Sequence, residues 1–293
     1  YWGQNSYGAS HPADQANYEG RLRNYCSQPV VASTIVLSFL HIFHGTPPNL
    51  PGVNFANHCD IQSTFNGTSL LHCPEIGQDI KFCQSQGVRI VLGLGGAAGS
   101  YGFSSDAEGE AFSHTIWDLF LGGSSQYRPF DDARLNGINL DIEGGSQTGY
   151  IRFIQSLQAI AKANDPLTHY SVSAAPQCPI PDAYMSSIME RVFLDDVYVQ
   201  FYNNYCGVNA YTTSNFNWDS WATWATSSSV NPKVRLYLGI PASPTAASFG
   251  YVEANVVGEI VSDIRSRSPS VFSGVMMWDA SQAYANDRYG QAV

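Results

Sequence analysis

A row of polar residues along one short segment carries the clearest chemical signal in this sequence. Residues 136–143 read Asn-Gly-Ile-Asn-Leu-Asp-Ile-Glu, so polar and apolar residues alternate. Because side chains point alternately to the two faces of a strand, Asn139, Asp141 and Glu143 share one face. A buried charge is costly unless it is paired or used. We interpret Asp141 and Glu143 as a carboxylate pair for acid–base chemistry, the alternative being a structural salt-bridge network inside the fold.

Short apolar segments alternate with helical patterns along the whole chain. Eight segments have the composition of strands: Tyr1–Gly3, Thr34–Phe39, Arg89–Leu94, Gly137–Leu140, Tyr170–Ala174, Asp196–Phe201, Arg235–Ile240 and Gly274–Trp278. Seven segments between them have helical patterns: Gln15–Cys26, Ile76–Gln86, Glu110–Phe120, Gly149–Lys162, Asp182–Glu190, Trp218–Thr226 and Val256–Ser266. This alternation predicts an α/β fold, a (β/α)8 TIM barrel. A doubly wound open sheet is the main alternative, but neither a GxGxxG motif nor a P-loop follows the first strand.

The position of the polar row within its strand agrees with a barrel enzyme. The row ends at Glu143, before Gly144-Gly145, and barrel enzymes place their chemistry at the carboxyl ends of the strands. The chain has 293 residues without a repeat, a long linker or a break in composition. We therefore expect a single catalytic domain over residues 1–293. The segment Ile240–Gly274 has room for one loop and one helix, so no insertion domain is expected there.

Composition and charge exclude several classes of function. Charged residues make up 13% of the chain, against about 25% in an average soluble protein. The net charge of −10 disfavours nucleic acid and anionic membranes, because phosphate binding needs Lys and Arg. No apolar segment reaches the roughly 18 residues of a membrane span. A neutral polymer remains compatible with this composition.

The cysteines and one sequon indicate a secretory route. The six cysteines are Cys26, Cys59, Cys73, Cys83, Cys178 and Cys206. They form no close CxxC pair and no His cluster accompanies them, so no metal site is expected, while their pairing remains open because six cysteines can be joined in many ways. A sequon at Asn66-Gly67-Thr68 predicts a glycosylation site on an exposed loop. Since the chain starts at Tyr1 without an initiator Met, we expect a removed leader and a secreted, extracellular protein.

The polar row resembles the motif of the family-18 glycoside hydrolases, in particular the class III (hevamine-like) chitinases of plants and fungi. The family motif is Asp-x-x-Asp-x-Asp-x-Glu on the fourth barrel strand. Here its last two acids are Asp141 and Glu143, while Asn136 and Asn139 replace the first two. Further segments resemble the family in order along the chain: Tyr1–Asn5, Gly93–Gly96, Ala174–Pro179, Val199–Asn204, Gly239–Ala242 and Gly274–Trp278.

The resemblance implies an endo-acting chitinase that cuts β-1,4-N-acetylglucosamine linkages by substrate-assisted, anomer-retaining catalysis without a cofactor or metal. Glu143 would protonate the glycosidic oxygen and then activate water. Asp141 would orient the acetamide N–H of the substrate, and Tyr202 would hydrogen-bond its carbonyl oxygen. Asn139 lies where the family has an Asp beside Asp141, so a slowed enzyme is expected. Asn136 is expected to matter for local structure.

The resemblance also implies a set of substrate-binding residues and a disulfide pattern. Trp278 would form an apolar floor under the sugar at the cleavage site. The implied binding residues are Tyr1, Gln4, Phe39, Gly96, Gln200, Asn203, Ala242 and Trp278. The implied disulfides are Cys26–Cys83, Cys59–Cys73 and Cys178–Cys206. Three tryptophans with helical spacing, Trp218, Trp221 and Trp224, are interpreted as core residues and not as a chitin-binding stripe.

Further functions on the same fold stay open at this point. One is a non-catalytic chitin lectin or hydrolase inhibitor, and another is an endo-β-N-acetylglucosaminidase that acts on N-glycans. The presence of Asp141, Glu143 and Tyr202 together favours the hydrolase. The expected partner is chitin or a chitooligosaccharide, with no nucleic acid and no membrane, and a monomer is expected.

Overall fold

The computed structural model describes residues 1–27, 32–45 and 49–293, apart from the side chain of residue 61. These residues form two compact units. One consists of residues 2–4 and 21–172, and we call it the Glu143 unit. The other consists of residues 1, 5–20 and 173–293, and we call it the Trp278 unit.

Strands and helices alternate through most of the described residues. The strands are β1 Thr34–Ile42, β2 Gly52–Val53, β3 Arg89–Gly96, β4 Gly137–Ile142, β5 Ser171–Ala174, β6 Asp196–Gln200, β7 Arg235–Pro241 and β8 Phe272–Trp278. The α-helices are α1 Ser6–Ser10, α2 Pro74–Ser85, α3 Asp106–Phe120, α4 Tyr150–Asn164, α5 Ser186–Met189, α6 Trp218–Ser227, α7 Ala254–Arg267 and α8 Ala280–Ala285. No helix among the described residues is long and apolar enough to cross a membrane.

In the Glu143 unit, the strands are neighbours in the order β2-β1-β3-β4, followed by the start of β5. β1, β3 and β4 are parallel, whereas the short β2 runs antiparallel to β1. Helices α2, α3 and α4 belong to the same unit. α3 begins after Ser105, whose hydroxyl oxygen accepts the main-chain N–H of Glu108 at 3.2 Å, and the acids in its first turn favour that end of the helix.

In the Trp278 unit, the end of β5 is followed by β6, β7 and β8, all parallel. Trp218, Trp221 and Trp224 of α6 are buried, which confirms their interpretation as core residues. The indole N–H of Trp221 donates to the main-chain oxygen of Cys178 at 2.9 Å, so α6 also holds the loop after β5. Between β7 and β8, where every residue is described, the chain forms one loop and α7, without an inserted domain.

Two sequence predictions near the amino terminus are wrong. The first predicted strand is reduced to a single parallel bridge between Trp2 and Leu37, because Gly3, with φ of +114°, turns the chain away. The predicted helix Gln15–Cys26 is replaced by two separate 3₁₀ turns. Glu19 lies between these turns. Its N–H donates to the side-chain oxygen of Asn5 at 2.9 Å, and its carboxylate accepts the N–H of Asn5 at 3.0 Å.

The predicted helix Asp182–Glu190 is only partly present. Regular helix is limited to α5, and the carboxylate of Asp182 organises a turn before it. This carboxylate accepts the main-chain N–H groups of Gln177, Tyr184 and Met185 at 2.9, 2.8 and 2.7 Å. Bonds from the residues two and three positions later are those of a helix N-cap, because the first N–H groups of a helix have no carbonyl acceptor within it. Asp182 therefore fixes the turn that leads into α5.

The structure contains three disulfides, and each is a pair that the resemblance implied. Cys26–Cys83 and Cys59–Cys73 lie in the Glu143 unit, and Cys178–Cys206 lies in the Trp278 unit. No cysteine in the described residues is free. The loop closed by Cys59 and Cys73 carries the sequon residue Asn66, which is exposed.

Candidate active site

β4 carries Asn139 and Asp141 of the polar row, and Glu143 lies just beyond its carboxyl end. Asn139 lies opposite Gly93 of β3, Asp141 lies opposite Gly95, and both polar side chains are buried. Gly95 has φ of +105°, and a Cβ on it would lie 2.3 Å from the main-chain oxygen of Asp141. Only glycine therefore lets β3 approach β4 this closely. Glu143 follows the last residue of β4 and is half-buried, which leaves part of it accessible to a substrate.

Asn136, just before β4, has a local structural function, as the sequence suggested. Its side-chain oxygen accepts the main-chain N–H of Ile90 at 2.8 Å and the side-chain N–H of Gln84 at 3.0 Å. Its own main-chain N–H donates to the oxygen of Ile90 at 2.7 Å. Asn136 thus ties the end of α2 and the start of β3 to the strand that carries the acids.

Phe39 and Gly96 are in contact in the same unit. Phe39 is buried, the peptide bond before it is cis, and a Cβ on Gly96 would lie 2.9 Å from its ring. The amide N–H groups of Gln4 donate to the main-chain oxygens of Ser38 at 2.7 Å and Asn54 at 3.1 Å. Gln4 therefore supports the chain next to Phe39.

Tyr101 contacts the main chain of two predicted site residues, although its own place in the site was not predicted. Its hydroxyl donates to the main-chain oxygen of Gly96 at 2.7 Å and accepts the main-chain N–H of Glu143 at 3.3 Å. One side chain thus connects the end of β3 with the residue that follows β4. A tyrosine five residues beyond the glycine motif was the signal that could have drawn attention to it.

The segment before Tyr101 is attached to the end of β1. The N–H of Ser100 donates to the oxygen of His41 at 2.9 Å, and the N–H of Phe43 donates to the oxygen of Ser100 at 3.1 Å. These two main-chain hydrogen bonds fix the backbone at the position where the Tyr101 side chain begins. Burial lowers the pKa of His41, so its imidazole is neutral at neutral pH.

In the Trp278 unit, the end of β6 carries three predicted site residues. Tyr202 and Gln200 are buried, and the side-chain N–H of Gln200 donates to the oxygen of Ala175 at 2.8 Å. Asn203 is exposed, and its side-chain oxygen accepts the N–H groups of Ser248 and Phe249 at 2.9 and 3.3 Å. Asn203 thereby attaches the loop after β7 to the chain next to Tyr202.

Trp278, at the end of β8, is held by neighbours of the same unit. Its ring lies 5.6 Å from the ring of Tyr1, measured between centroids. Its main-chain oxygen accepts the N–H of Ala242 at 2.8 Å. The carboxylate of the next residue, Asp279, accepts the N–H groups of Ser6 and Gln282 at 3.3 and 3.0 Å. Trp278 is half-buried, so an indole surface remains available to a ligand.

The predicted residues therefore fall into two sets. The Glu143 unit holds Gln4, Phe39, Gly96, Asn139, Asp141 and Glu143, and the Trp278 unit holds Tyr1, Gln200, Tyr202, Asn203, Ala242 and Trp278. Within the described parts of the chain, no three His, Cys, Asp or Glu side chains are grouped so that they could hold a metal ion.

The family model described as Glycosyl hydrolases family 18 matches residues 1–255. The chain belongs to this family. Among curated family relatives, Chitinase 1 of Rhizopus niveus is 50% identical over 289 residues, which are 99% of this chain and 55% of that protein. The chain spans about half the length of the curated fungal relatives it matches.

Solved structures share the fold of this chain. A chitinase of Ipomoea carnea, ICChI, is 28% identical with a TM-score of 0.80, covering 100% of this chain and 96% of that chain. The xylanase and α-amylase inhibitor protein XAIP-II of Scadoxus multiflorus is 27% identical with a TM-score of 0.80, covering 100% of this chain and 95% of that chain. Family membership and this likeness confirm the (β/α)8 fold class predicted from the sequence.

Proposed function

We propose that residues 1–293 form a single catalytic domain that hydrolyses β-1,4-N-acetylglucosamine linkages of chitin or chitooligosaccharides, cutting within the polymer. The observation that carries this proposal is the end of β4. Asp141 is buried opposite Gly95, and two residues later the half-buried Glu143 leaves the strand. A family-18 chain with this arrangement has the acid and the orienting carboxylate that substrate-assisted hydrolysis needs.

The reaction proceeds in two steps. In the first, Glu143 gives its proton to the glycosidic oxygen while the acetamide oxygen of the substrate attacks C1, so the C1–O bond breaks and an oxazolinium ion forms. Asp141 orients the acetamide N–H, and Tyr202 hydrogen-bonds the acetamide oxygen. In the second step, Glu143 takes a proton from water, which opens the oxazolinium at C1. Two displacements at C1 retain the anomeric configuration.

The remaining residues bind and orient the sugars. Trp278, with Tyr1 beside its ring, provides an apolar surface under the sugar at the cleavage site. Further contacts to the polymer are assigned to Gln4, Phe39, Gly96, Gln200, Asn203 and Ala242. Gln4 and Asn203 also hold the protein's own main chain, so their substitution will affect local structure as well as binding.

An inhibitor function is the second candidate, because XAIP-II has the same fold over the whole of this chain. Asp141, Glu143 and Tyr202 favour the hydrolase, since a protein that only binds another enzyme needs neither a general acid nor an acetamide-orienting group. A test of the proposed function must also distinguish the hydrolase from a chitin lectin and from an endo-β-N-acetylglucosaminidase that acts on N-glycans.

The deciding experiment is a turnover assay of the purified chain on chitotetraose and on a high-mannose glycopeptide. Cleavage of chitotetraose with retained configuration, and no cleavage of the glycopeptide, supports the proposal. Cleavage of the glycopeptide alone identifies an endo-β-N-acetylglucosaminidase. Binding of chitotetraose without turnover identifies a lectin, and inhibition of xylanase or α-amylase without turnover identifies an inhibitor.

We also assign the protein to the extracellular space. Three disulfides are consistent with an oxidising compartment, and the exposed Asn66 within its sequon suits an N-linked glycan. The net charge of −10 fits a neutral polymer as the partner and does not favour nucleic acid. Gel filtration with light scattering tests the monomer that we assign.

A further inference from the structure

Tyr101 lies where the pairing between β3 and β4 ends. The last paired residues are Gly96 and Ile142, and Glu143 is the next residue after that pair. The Tyr101 hydroxyl bonds to the oxygen of Gly96 and to the N–H of Glu143. It therefore extends the connection between the two strands by one residue, to the residue whose carboxyl must be placed most accurately.

Tyr101 and the two residues before it are held against the end of β1 and the residue that follows it. Its ring lies 5.7 Å from the ring of Phe43, which is buried. The preceding Ser100 forms a parallel bridge with Ile42 at the end of β1. Gly99, with φ of +147°, brings the chain so close to β1 that a Cβ on it would lie 2.2 Å from the oxygen of His41. A hydroxyl supported in this way is fixed before any substrate arrives.

We propose that Tyr101 is a positioning residue of the hydrolytic site, and that its hydroxyl fixes the main chain at Glu143 so that the Glu143 carboxyl is aligned with the glycosidic oxygen. The inference rests on the proposed function. Both of these bonds are to main-chain groups, of Glu143 and of Gly96, so through them Tyr101 sets the placement of the acid. Loss of the Tyr101 hydroxyl should therefore reduce kcat and leave KM and the pH profile nearly unchanged.

The test is Tyr101→Phe in the full chain, which keeps the ring on Phe43 and removes the hydroxyl. We expect kcat on chitotetraose to fall by about 10- to 100-fold, since a misplacement on the order of 1 Å can cost about 100-fold. KM should stay within about twofold. Tyr170→Phe is the matched control, because Tyr170 is also half-buried and its hydroxyl donates to Asp165 at 2.9 Å, at the opposite end of the strands. This control should keep its kcat.

A second measurement separates positioning from other roles. In a Glu143→Gln background, adding Tyr101→Phe should cause no further loss of the residual turnover, because its effect passes through Glu143. The inference is overturned by an unchanged kcat in Tyr101→Phe, by a rise in KM alone, by loss of the alkaline limb of the pH profile, or by additive losses in the double variant. An inactive wild-type chain would overturn the proposed function, whereas an active one with an unaffected Tyr101→Phe overturns only this inference.

Discussion

Glu143 serves as both acid and base in the proposed reaction, so its replacement should be severe. Glu143→Gln keeps the shape of the side chain but has no proton to donate at the glycosidic oxygen. We expect turnover of chitotetraose to fall toward the upper end of the roughly 10²–10⁴-fold contribution of a general acid. Binding of chitotetraose, measured by calorimetry, should change little. Near-normal turnover would contradict the mechanism, and Glu190→Gln, at an exposed position, serves as the control.

Asn139 is the second residue-scale test, because it replaces a family Asp two residues before Asp141 and is buried. Two close carboxylates raise the pKa of one of them, and an Asn cannot carry the second charge. Its amide N–H can instead donate to Asp141, which favours the ionised carboxylate but would hold it toward the barrel floor, away from the substrate acetamide. Asn139→Asp should therefore raise turnover by up to about tenfold, because a shift of one unit in a pKa changes an ionisation equilibrium by a factor of about ten. It should also shift the pH optimum.

The measurement is kcat against pH for the wild type and Asn139→Asp, with the affinity for chitotetraose as a second readout. The change is expected mainly in turnover and less in binding. Identical pH profiles would show that residue 139 does not couple to Asp141. That outcome would contradict its assignment to the same face of β4.

At this scale, sequence periodicity explains why some site residues could be predicted and others could not. Asn139 and Asp141 are two positions apart in β4 and Glu143 follows two positions later, so the alternation of side chains relates them directly. Tyr101 lies 42 residues before Glu143 in a loop, where no periodic pattern applies. Its contact with Glu143 depends on the pairing of β3 with β4 and of Ser100 with β1, which is tertiary information.

Among the elements, the turn before α5 depends on a single buried carboxylate. Asp182→Ala would leave the N–H groups of Gln177, Tyr184 and Met185 without this acceptor. The bond from Met185 is buried, and a buried donor left unsatisfied costs about 1–3 kcal/mol, so the melting temperature should fall clearly. Asp182→Asn should cost less, because one carboxylate oxygen serves both Tyr184 and Met185 and an amide oxygen can replace it.

Thermal unfolding of both variants tests the turn, with Glu190→Ala as the control. The expected order of stability is wild type, then Asp182→Asn, then Asp182→Ala. A loss for Asp182→Ala as small as that of the exposed Glu190→Ala would contradict the importance of the three bonds.

The elements also show where sequence patterns are sufficient. The strands from β3 to β8 were predicted to within a few residues, because most are short apolar segments and β4 has the alternation of a strand. The predicted helix Gln15–Cys26 failed because Glu19 bonds to Asn5, 14 residues earlier, in preference to a helical partner. The antiparallel β2 has only two residues, too few for any pattern to be recognised.

At the scale of the whole molecule, the connection between β7 and β8 bears on how the polymer is cut. A domain inserted at this position would add a wall to a substrate groove beside the strand ends. Here residues 242–271, all described, form a loop and α7. We expect internal cuts with little processivity, so the viscosity of a soluble chitin derivative should fall early and products of several lengths should appear.

A time course of viscosity and product length tests this expectation. A family relative that carries the inserted domain is the comparison protein. Dimer as the main product from the first minutes, with viscosity unchanged, would contradict the expected mode of attack.

The loop closed by Cys59–Cys73 offers a place to attach the protein to a surface. Its two ends are fixed by the disulfide. Gly67 is exposed with φ of +76°, and apart from its chain neighbours no described residue has an atom within 4 Å of the position of a Cβ there. Doubling the length of a flexible loop costs only about 0.6 kcal/mol. A peptide tag inserted after Gly67 should therefore leave the melting temperature and the turnover of chitotetraose nearly unchanged. Such a chain could be immobilised on a bead through the tag and reused, and loss of turnover on insertion would show that this loop takes part in the site.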